Sequence, residues 1–275
     1  MAHPDRSNAT PGNGVADRWF PAKGEARAVA LVLHGLNFKP ARMKSICRCL
    51  AELGVESRLV VFTGHDGDLA ALRAARRESF LADAARGYDD ASRRAVERGV
   101  PVLLAGFSLG AVVGNDLLLA RDDVRFAAMV LFAPAFTPRA YTHAVRLLSP
   151  APRLLIRSAS PAPFRANDAT SVSAYRALFD SIAALRAQGY ARSNLPCVVF
   201  IDPRDELVSA RALRRLVSDR QLDQWTLVEV SNAGTTLERT LHHLIVGPEE
   251  VGAAEWSRIK ATVELLLDKA LSRAT

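Results

Sequence analysis

The sequence has few of the features that mark disulfide-rich or membrane proteins. It contains only three cysteines in 275 residues, and an odd number rules out a complete disulfide framework. Cys47, Cys49 and Cys197 are therefore predicted to be inert, buried thiols in a reducing compartment. No apolar run reaches the length of a membrane span without interruption. The nearest candidate, residues 99–120, is broken by proline and glycine and also carries polar side chains.

The amino terminus also lacks the apolar core of a signal peptide. Residues 1–14 are predicted to be a disordered tail. These observations favour a cytoplasmic protein without an integral membrane segment, and they leave open a targeting segment removed from before residue 1.

Lysine is scarce as well, since 31 of the 36 basic residues are arginines and the formal net charge is +7. The arginines are scattered from Arg6 to Arg273 and alternate with alanine and leucine, which is the pattern of exposed helix faces. No nucleic-acid-binding motif accompanies the charge, so we expect no nucleic-acid partner. The charge leaves peripheral attraction to anionic lipid as a hypothesis, and the sequence predicts no oligomeric state.

Short apolar runs alternate with longer amphipathic ones along the chain. The apolar runs lack the alternation of half-exposed strands, which indicates strands buried on both faces of a parallel sheet. The fold class is therefore predicted to be α/β, with a mostly parallel central sheet and helices on both faces. The predicted strands are 28–33, 58–62, 101–105, 126–133, 196–201 and 225–230, and the predicted helices are 40–53, 68–98, 109–120, 207–217 and 254–271.

One segment interrupts this regular pattern. Residues 134–193 are rich in proline, and they are too long to be a simple connection between two strands. We interpret them as an inserted cap or lid. Residues 15–133 and 194–275 are then predicted to form a single core domain.

The strongest chemical signal is the pentapeptide at residues 106–110, which reads G-x-S-x-G around Ser108. An apolar strand precedes it and an apolar helix follows, so the serine lies at a sharp strand-to-helix turn. Such a turn exposes the hydroxyl above the sheet and directs the N–H groups of the helix terminus towards developing negative charge. The context predicts that Ser108 is a nucleophile.

A serine nucleophile needs a base, and the base needs an acid that orients it. Acidic residues follow the strand at 196–201, where Asp202 and Asp205 are the two candidates. His242 and His243 come after the next strand and are the only histidines beyond that acid. Asp202 ends the strand before a proline, where it would cap the turn, so the loop position favours Asp205 and leaves Asp202 as the alternative, while His243 and His242 are both candidates for the base.

The order Ser, Asp, His resembles that of the α/β-hydrolase superfamily, and further motifs strengthen the resemblance. Residues 34–37 (HGLN) look like the H-G-x-x oxyanion loop of that family, and residues 64–67 (GHDG) look like its G-H-x-G turn. Within the superfamily, the acid loop at residues 205–209 (DELVS) and the histidine segment at residues 243–246 (HLIV) are similar to those of carboxylesterases, monoacylglycerol lipases and lysophospholipases.

The resemblance implies a catalytic triad of Ser108, Asp205 and His243. It also implies an oxyanion hole formed by the backbone N–H groups of Leu36 and Leu109. Leu109 has a second warrant, because it follows the nucleophile at a helix amino terminus. No metal or organic cofactor is expected.

The cap is expected to cover the pocket and select the substrate. Candidate substrate-contacting residues are His34, Phe107, Phe136, Tyr141 and His242, although His34 and His65 also have a structural interpretation as residues that join loops by ring hydrogen bonds. The predicted activity is hydrolysis of a small-molecule or lipid carboxylic ester with an apolar acyl chain. The alternatives are a thioesterase, acyltransferase or aminopeptidase with the same triad, or a binding protein without catalysis.

Overall fold

A seven-stranded sheet forms the centre of the structure, a computed structural model that describes residues 18–140, 142, 145, 148, 150–238 and 240–272. Its strand order is β1-β3-β2-β4-β5-β8-β9, and every neighbouring pair is parallel except β1 with β3. The strands are β1 Arg18–Phe20, β2 Ala28–Leu33, β3 Val55–Val60, β4 Val102–Phe107, β5 Met129–Phe132, β8 Cys197–Ile201 and β9 Trp225–Glu229. Two further strands, β6 Leu155–Arg157 and β7 Ala169–Ser171, form a separate antiparallel pair.

Helices cover both faces of the sheet, as predicted for the α/β class. The helices are α1 Lys44–Glu52, α2 Leu69–Ala74, α3 Arg77–Arg98, α4 Leu109–Ala120, α5 Val172–Gln188, α6 Ala210–Asp219, α7 Pro248–Val251 and α8 Ala253–Leu271. Strand β2 shows how one strand supports two layers. Val29, Leu31 and Leu33 belong to the core that contains α3 and α4, whereas its alternate residues belong to the core that contains α1 and α8.

The single helix predicted over residues 68–98 is wrong in one respect, because the structure has two helices there. The chain is extended at Arg76, and the Arg76 backbone N–H donates to the hydroxyl of Ser79. This local hydrogen bond caps a new helix, and it competes with continuation of α2. Asp68 caps α2 with the opposite direction of donation, because its Oδ1 accepts the backbone N–H of Ala71.

The segment 134–193, predicted to be an inserted cap, contains two kinds of structure. The β6–β7 pair forms a small sheet separate from the central one. Helix α5, in contrast, packs against α3 and α4, and its Leu178, Phe179 and Ile182 lie in the same hydrophobic core. The domain boundaries given for the cap remain a prediction.

All three cysteines are free and buried, as the sequence predicted. Burial raises the pKa of Cys47 and of Cys49 to about 12, so both thiols stay protonated near neutral pH. Among the described helices, none is both long and apolar enough to cross a membrane.

Candidate active site

Ser108 lies between β4 and α4 in a strained backbone conformation. Its φ of 50° and ψ of −112° fall in a region that residues with a side chain rarely adopt. Such strain costs about 1–3 kcal/mol and persists only where the surrounding structure enforces it. The buried β4 before Ser108 and the buried α4 after it provide that enforcement.

Close backbone contacts explain the two glycines that flank the serine. A Cβ built on Gly110 would lie 2.1 Å from the carbonyl oxygen of Leu33, and one built on Gly106 would lie 2.6 Å from the Cα of Ala111. Each of these contacts is with backbone, which cannot rotate away as a side chain can. The turn therefore requires glycine at both positions.

The structure brings Ser108, His243 and Asp205 into one hydrogen-bonded chain. The Oγ of Ser108 is 2.9 Å from Nε2 of His243, and Nδ1 of His243 is 2.8 Å from Oδ2 of Asp205. A carboxylate oxygen accepts hydrogen bonds, so we assign the imidazole proton to Nδ1, which leaves Nε2 to accept the serine proton. This arrangement can perform general-base activation of a hydroxyl.

The loop after β8 fixes the orientation of Asp205. Its Oδ1 accepts the backbone N–H groups of Leu207 and Val208 at 2.7 Å and 2.8 Å, while Oδ2 faces His243. The side chain has no exposed surface, so these three hydrogen bonds replace its hydration. From the cap segment, Nε of Arg139 donates to the Asp205 carbonyl oxygen.

A second aspartate–histidine pair lies beside the first. Nδ1 of His242 is 2.9 Å from Oδ2 of Asp202, and the His242 side chain is 28% exposed, compared with 5% for His243. Burial alone would raise the pKa of Asp202, but hydrogen bonds from Arg204 and His242 outweigh burial and lower it. The alternative residues Asp202 and His242 thus pair with each other. Asp205 pairs with His243, and it is His243 that contacts Ser108.

Glu206 connects the acid loop to the histidine segment and was not identified from the sequence. Its Oε1 accepts the backbone N–H of His242 at 3.0 Å, and its Oε2 accepts that of His243 at 3.2 Å. One carboxylate thereby holds two successive peptide units. Its only signal in the sequence is an acidic residue next to Asp205.

Two buried histidines join the loops on the other side of the serine. Nε2 of His34 accepts the backbone N–H of Phe62, and Nε2 of His65 accepts that of Asn37. These contacts confirm the structural interpretation of both rings. Burial, the largest cause, holds the pKa of His65 at about 4 and that of His34 well below its usual value, so both stay neutral near pH 7.

The predicted oxyanion-hole residues occupy loops that meet at Ser108. Leu109 is the first residue of α4, where the N–H groups of a helix lack intrahelical acceptors. Leu36 follows Gly35, and a Cβ built on Gly35 would lie 3.3 Å from the Cβ of Ser108. Asn37, at a φ of 49°, turns the chain directly after Leu36.

The candidate substrate-contacting residues have different environments. The His34 ring is buried, and both of its nitrogens face backbone groups, while Phe136 is fully buried against Tyr190 and Trp225. Both side chains face other protein groups in this conformation, and their contact with a substrate stays a prediction. Phe107 packs 5.2 Å from the His243 ring, His242 is part-exposed, and Tyr141 lies outside the described residues.

A family model described as serine aminopeptidase, S33, matches residues 24–162, half of the chain. The chain belongs to this family. It is a hydrolase with the α/β-hydrolase fold, and the matched residues include β2, the loop at residues 34–37, β4 and the Ser108 turn. No curated protein sequence matches the chain.

Solved structures of similar fold cover nearly the whole chain. A soluble variant of monoglyceride lipase from Saccharomyces cerevisiae has a TM-score of 0.74 at 12% identity, with 98% of this chain and 99% of that chain covered. A second similar structure comes from a study of the metagenome-derived lipolytic enzymes LipS and LipT. Its TM-score is 0.72 at 18% identity, with 93% of this chain and 98% of that chain covered. The monoacylglycerol lipase of Paleococcus ferrophilus has a TM-score of 0.63 at 17% identity, with coverage of 92% and 98%. At these low sequence identities, the structural similarity shows the fold of the chain and nothing more.

Proposed function

We propose that the protein hydrolyses carboxylic esters with an apolar acyl chain, through an acyl-enzyme on Ser108. The observation that carries the proposal is the continuous chain of hydrogen bonds from Ser108 through His243 to Asp205. His243 takes the serine proton as Oγ attacks the ester carbonyl. It then returns that proton to the leaving alcohol, and the acyl-enzyme forms.

The second step releases the acid. His243 removes a proton from water, the resulting hydroxide attacks the acyl carbonyl, and Ser108 leaves with the proton from His243. In both steps the N–H groups of Leu36 and Leu109 are proposed to receive the negative charge on the former carbonyl oxygen. The position of Leu109 at the start of α4 supports this assignment, because the helix terminus also favours negative charge.

An apolar acyl chain is favoured by the side chains around the site. Leu36, Leu207 and Leu241 lie on the three loops that carry the oxyanion hole, the acid and the base, and each is part-exposed. Beneath them, Phe107 packs against Phe38 at a centroid distance of 4.8 Å. Apolar side chains with exposed edges offer an acyl chain surface that excludes water.

The family description makes aminopeptidase activity the second candidate. Such an activity requires a carboxylate to bind the α-ammonium group of the substrate. In the described loops beside the triad, Asp202 already pairs with His242 and Arg204, and Glu206 accepts the two histidine N–H groups. These carboxylates are engaged within the protein, so we favour the ester over the aminoacyl amide.

A substrate panel tests the proposal directly. We expect kcat/KM on nitrophenyl esters to rise about fourfold for each added methylene until the acyl site is filled. Thioesters and amino-acid nitroanilides serve as competing substrates, and Ser108→Ala is the inactive control. Faster turnover of an amino-acid anilide than of any ester would show that the aminopeptidase assignment is the right one. No turnover of any of these substrates, together with no labelling by a fluorophosphonate, would favour a binding protein without catalysis.

A further inference from the structure

A groove of about 760 Å³ lies outside the active site, where α2 meets the start of α5 and the chain before β6. Three arginines, Arg73, Arg76 and Arg153, line it, and none of its lining residues within the described part of the chain is acidic. The rest of its lining is small or apolar and includes Ala74 and Leu154. We call it the cationic groove, and its volume is that of a small-molecule site.

The arginines of the cationic groove differ from most arginines of the chain in their pairing. Within the described residues, Arg73, Arg76 and Arg153 have no ion-pair partner. The next arginine along the chain, Arg77, instead forms an ion pair with buried Asp116 at 2.7 Å. Exposed guanidinium groups without a carboxylate partner are available to an external anion.

A smaller cavity of about 360 Å³ adjoins the groove and shares Arg76 with it. Arg176 adds a fourth guanidinium there, and Glu78 and Asp180 supply the acidic groups. Glu78 and Asp180 line the smaller cavity and are not among the described residues that line the larger groove. The described residues that line the two cavities include no aromatic side chain of the kind on which single-stranded nucleic acid stacks.

Exposed aliphatic side chains accompany this charge. Leu154 lines the groove and is 46% exposed, and Leu148, on the same segment, is 37% exposed. Guanidinium groups beside exposed leucines form a surface that suits the boundary between lipid headgroups and acyl chains. A fully polar anion in free solution has no apolar part to place against the exposed leucines.

The place of the groove in the fold relates it to the active site. Helix α2 begins at Leu69, directly after the loop at the carboxyl end of β3, and Ser108 follows the carboxyl end of β4. The two strands run in parallel on either side of β2, so both ends lie on the same edge of the sheet. A surface bound through the groove would therefore lie on the edge that carries the candidate triad.

We propose that the cationic groove binds the phosphate headgroups of an anionic lipid bilayer. Arg73, Arg76 and Arg153 contact the phosphates, and Leu154 enters the interfacial layer. The binding does not depend on turnover, so it stands or falls separately from the proposed ester hydrolysis.

The test measures binding to vesicles by co-sedimentation, with vesicles of pure phosphatidylcholine compared with vesicles that contain phosphatidylglycerol. The triple variant R73Q/R76Q/R153Q should lose about fivefold in partitioning for each arginine, and hence on the order of 100-fold in total. A matched variant, R48Q/R211Q/R215Q, removes the same charge at exposed arginines that are unpaired among the described residues. It should lose far less. Thermal unfolding checks that both triple variants fold. If R73Q/R76Q/R153Q does not fold, the single variant R153Q replaces it and should lose about fivefold in partitioning.

Several results would overturn the proposal. Equal losses in the two triple variants would mean that binding follows net charge alone, and no preference of the unmodified protein for anionic vesicles would exclude lipid recognition. Binding of glycerol phosphate in solution that R73Q/R76Q/R153Q abolishes would identify a free phosphate ligand instead. Tighter groove-dependent binding to a single-stranded oligonucleotide than to vesicles would identify a nucleic-acid site.

Discussion

Replacement of Asp205 by asparagine tests most directly which of the two aspartate–histidine pairs activates Ser108. In the native loop, Oδ1 of Asp205 accepts two backbone N–H groups, and Oδ2 faces Nδ1 of His243. The asparagine oxygen will keep the two N–H donors, because the amide NH₂ cannot accept them. The NH₂ then faces Nδ1 of His243 and forces the imidazole proton to Nε2.

That tautomer places an N–H towards Ser108, so the ring can no longer accept the serine proton. In a serine protease the same change of aspartate to asparagine lowers kcat about 10⁴-fold, which corresponds to about 5.4 kcal/mol. We expect a loss of this order for D205N. The D202N variant alters the His242 pair, which does not contact Ser108, and should keep kcat within about tenfold of the native enzyme.

The assay is steady-state hydrolysis of a nitrophenyl ester, with thermal unfolding to verify that both variants fold. A larger loss of kcat in D202N than in D205N would refute the assignment of the acid. A D205N enzyme within tenfold of the native kcat would refute the tautomer argument itself.

Three other predictions concern the scaffold. In G110A, the new Cβ would lie 2.1 Å from the Leu33 carbonyl oxygen, so urea unfolding should show a loss of about 3 kcal/mol or more, and a loss below 0.5 kcal/mol would show that the turn tolerates a side chain. Burial lowers the folded-state pKa of His65 from 6.5 to about 4, so its contribution is complete above pH 6.5 and is lost as the pH falls to 4. The free energy of unfolding should therefore drop by about 3 kcal/mol more between pH 7 and pH 4 in the native protein than in H65Q, and equal drops would contradict this. E206A should lower kcat about tenfold with little change in KM. E206Q should lower kcat by a smaller factor, because glutamine keeps one acceptor for a backbone N–H. An unchanged kcat in E206A would exclude a positioning role.

The elements that the sequence predicted well are those with local signals. Strand β2 coincides with the predicted 28–33, since six consecutive buried residues form it. The sharp turn at Ser108 was predictable from the two glycines of the pentapeptide. In the structure, a Cβ added to either glycine would clash with backbone atoms. The α/β class is confirmed by the sheet order and by the family match.

Other features depend on contacts between distant parts of the chain. His242 and His243 are neighbours with the same side chain, and only the folded loops show that the second contacts Ser108. The break at Arg76 depends on one side-chain hydrogen bond, which helical periodicity does not reveal. The packing of α5 into the main core was missed because its apolar residues suit a separate cap equally well.

The most direct test of the account is covalent labelling of Ser108 in the folded protein by a fluorophosphonate, read by mass spectrometry of the intact chain and of its peptides. We expect one adduct per chain, located on the peptide that contains Ser108. Labelling should disappear in S108A and in heat-unfolded protein, because it requires the base His243 in place. Ester hydrolysis at the native rate by S108A, or labelling of a different residue at full stoichiometry, would contradict the assignment of Ser108 as the nucleophile.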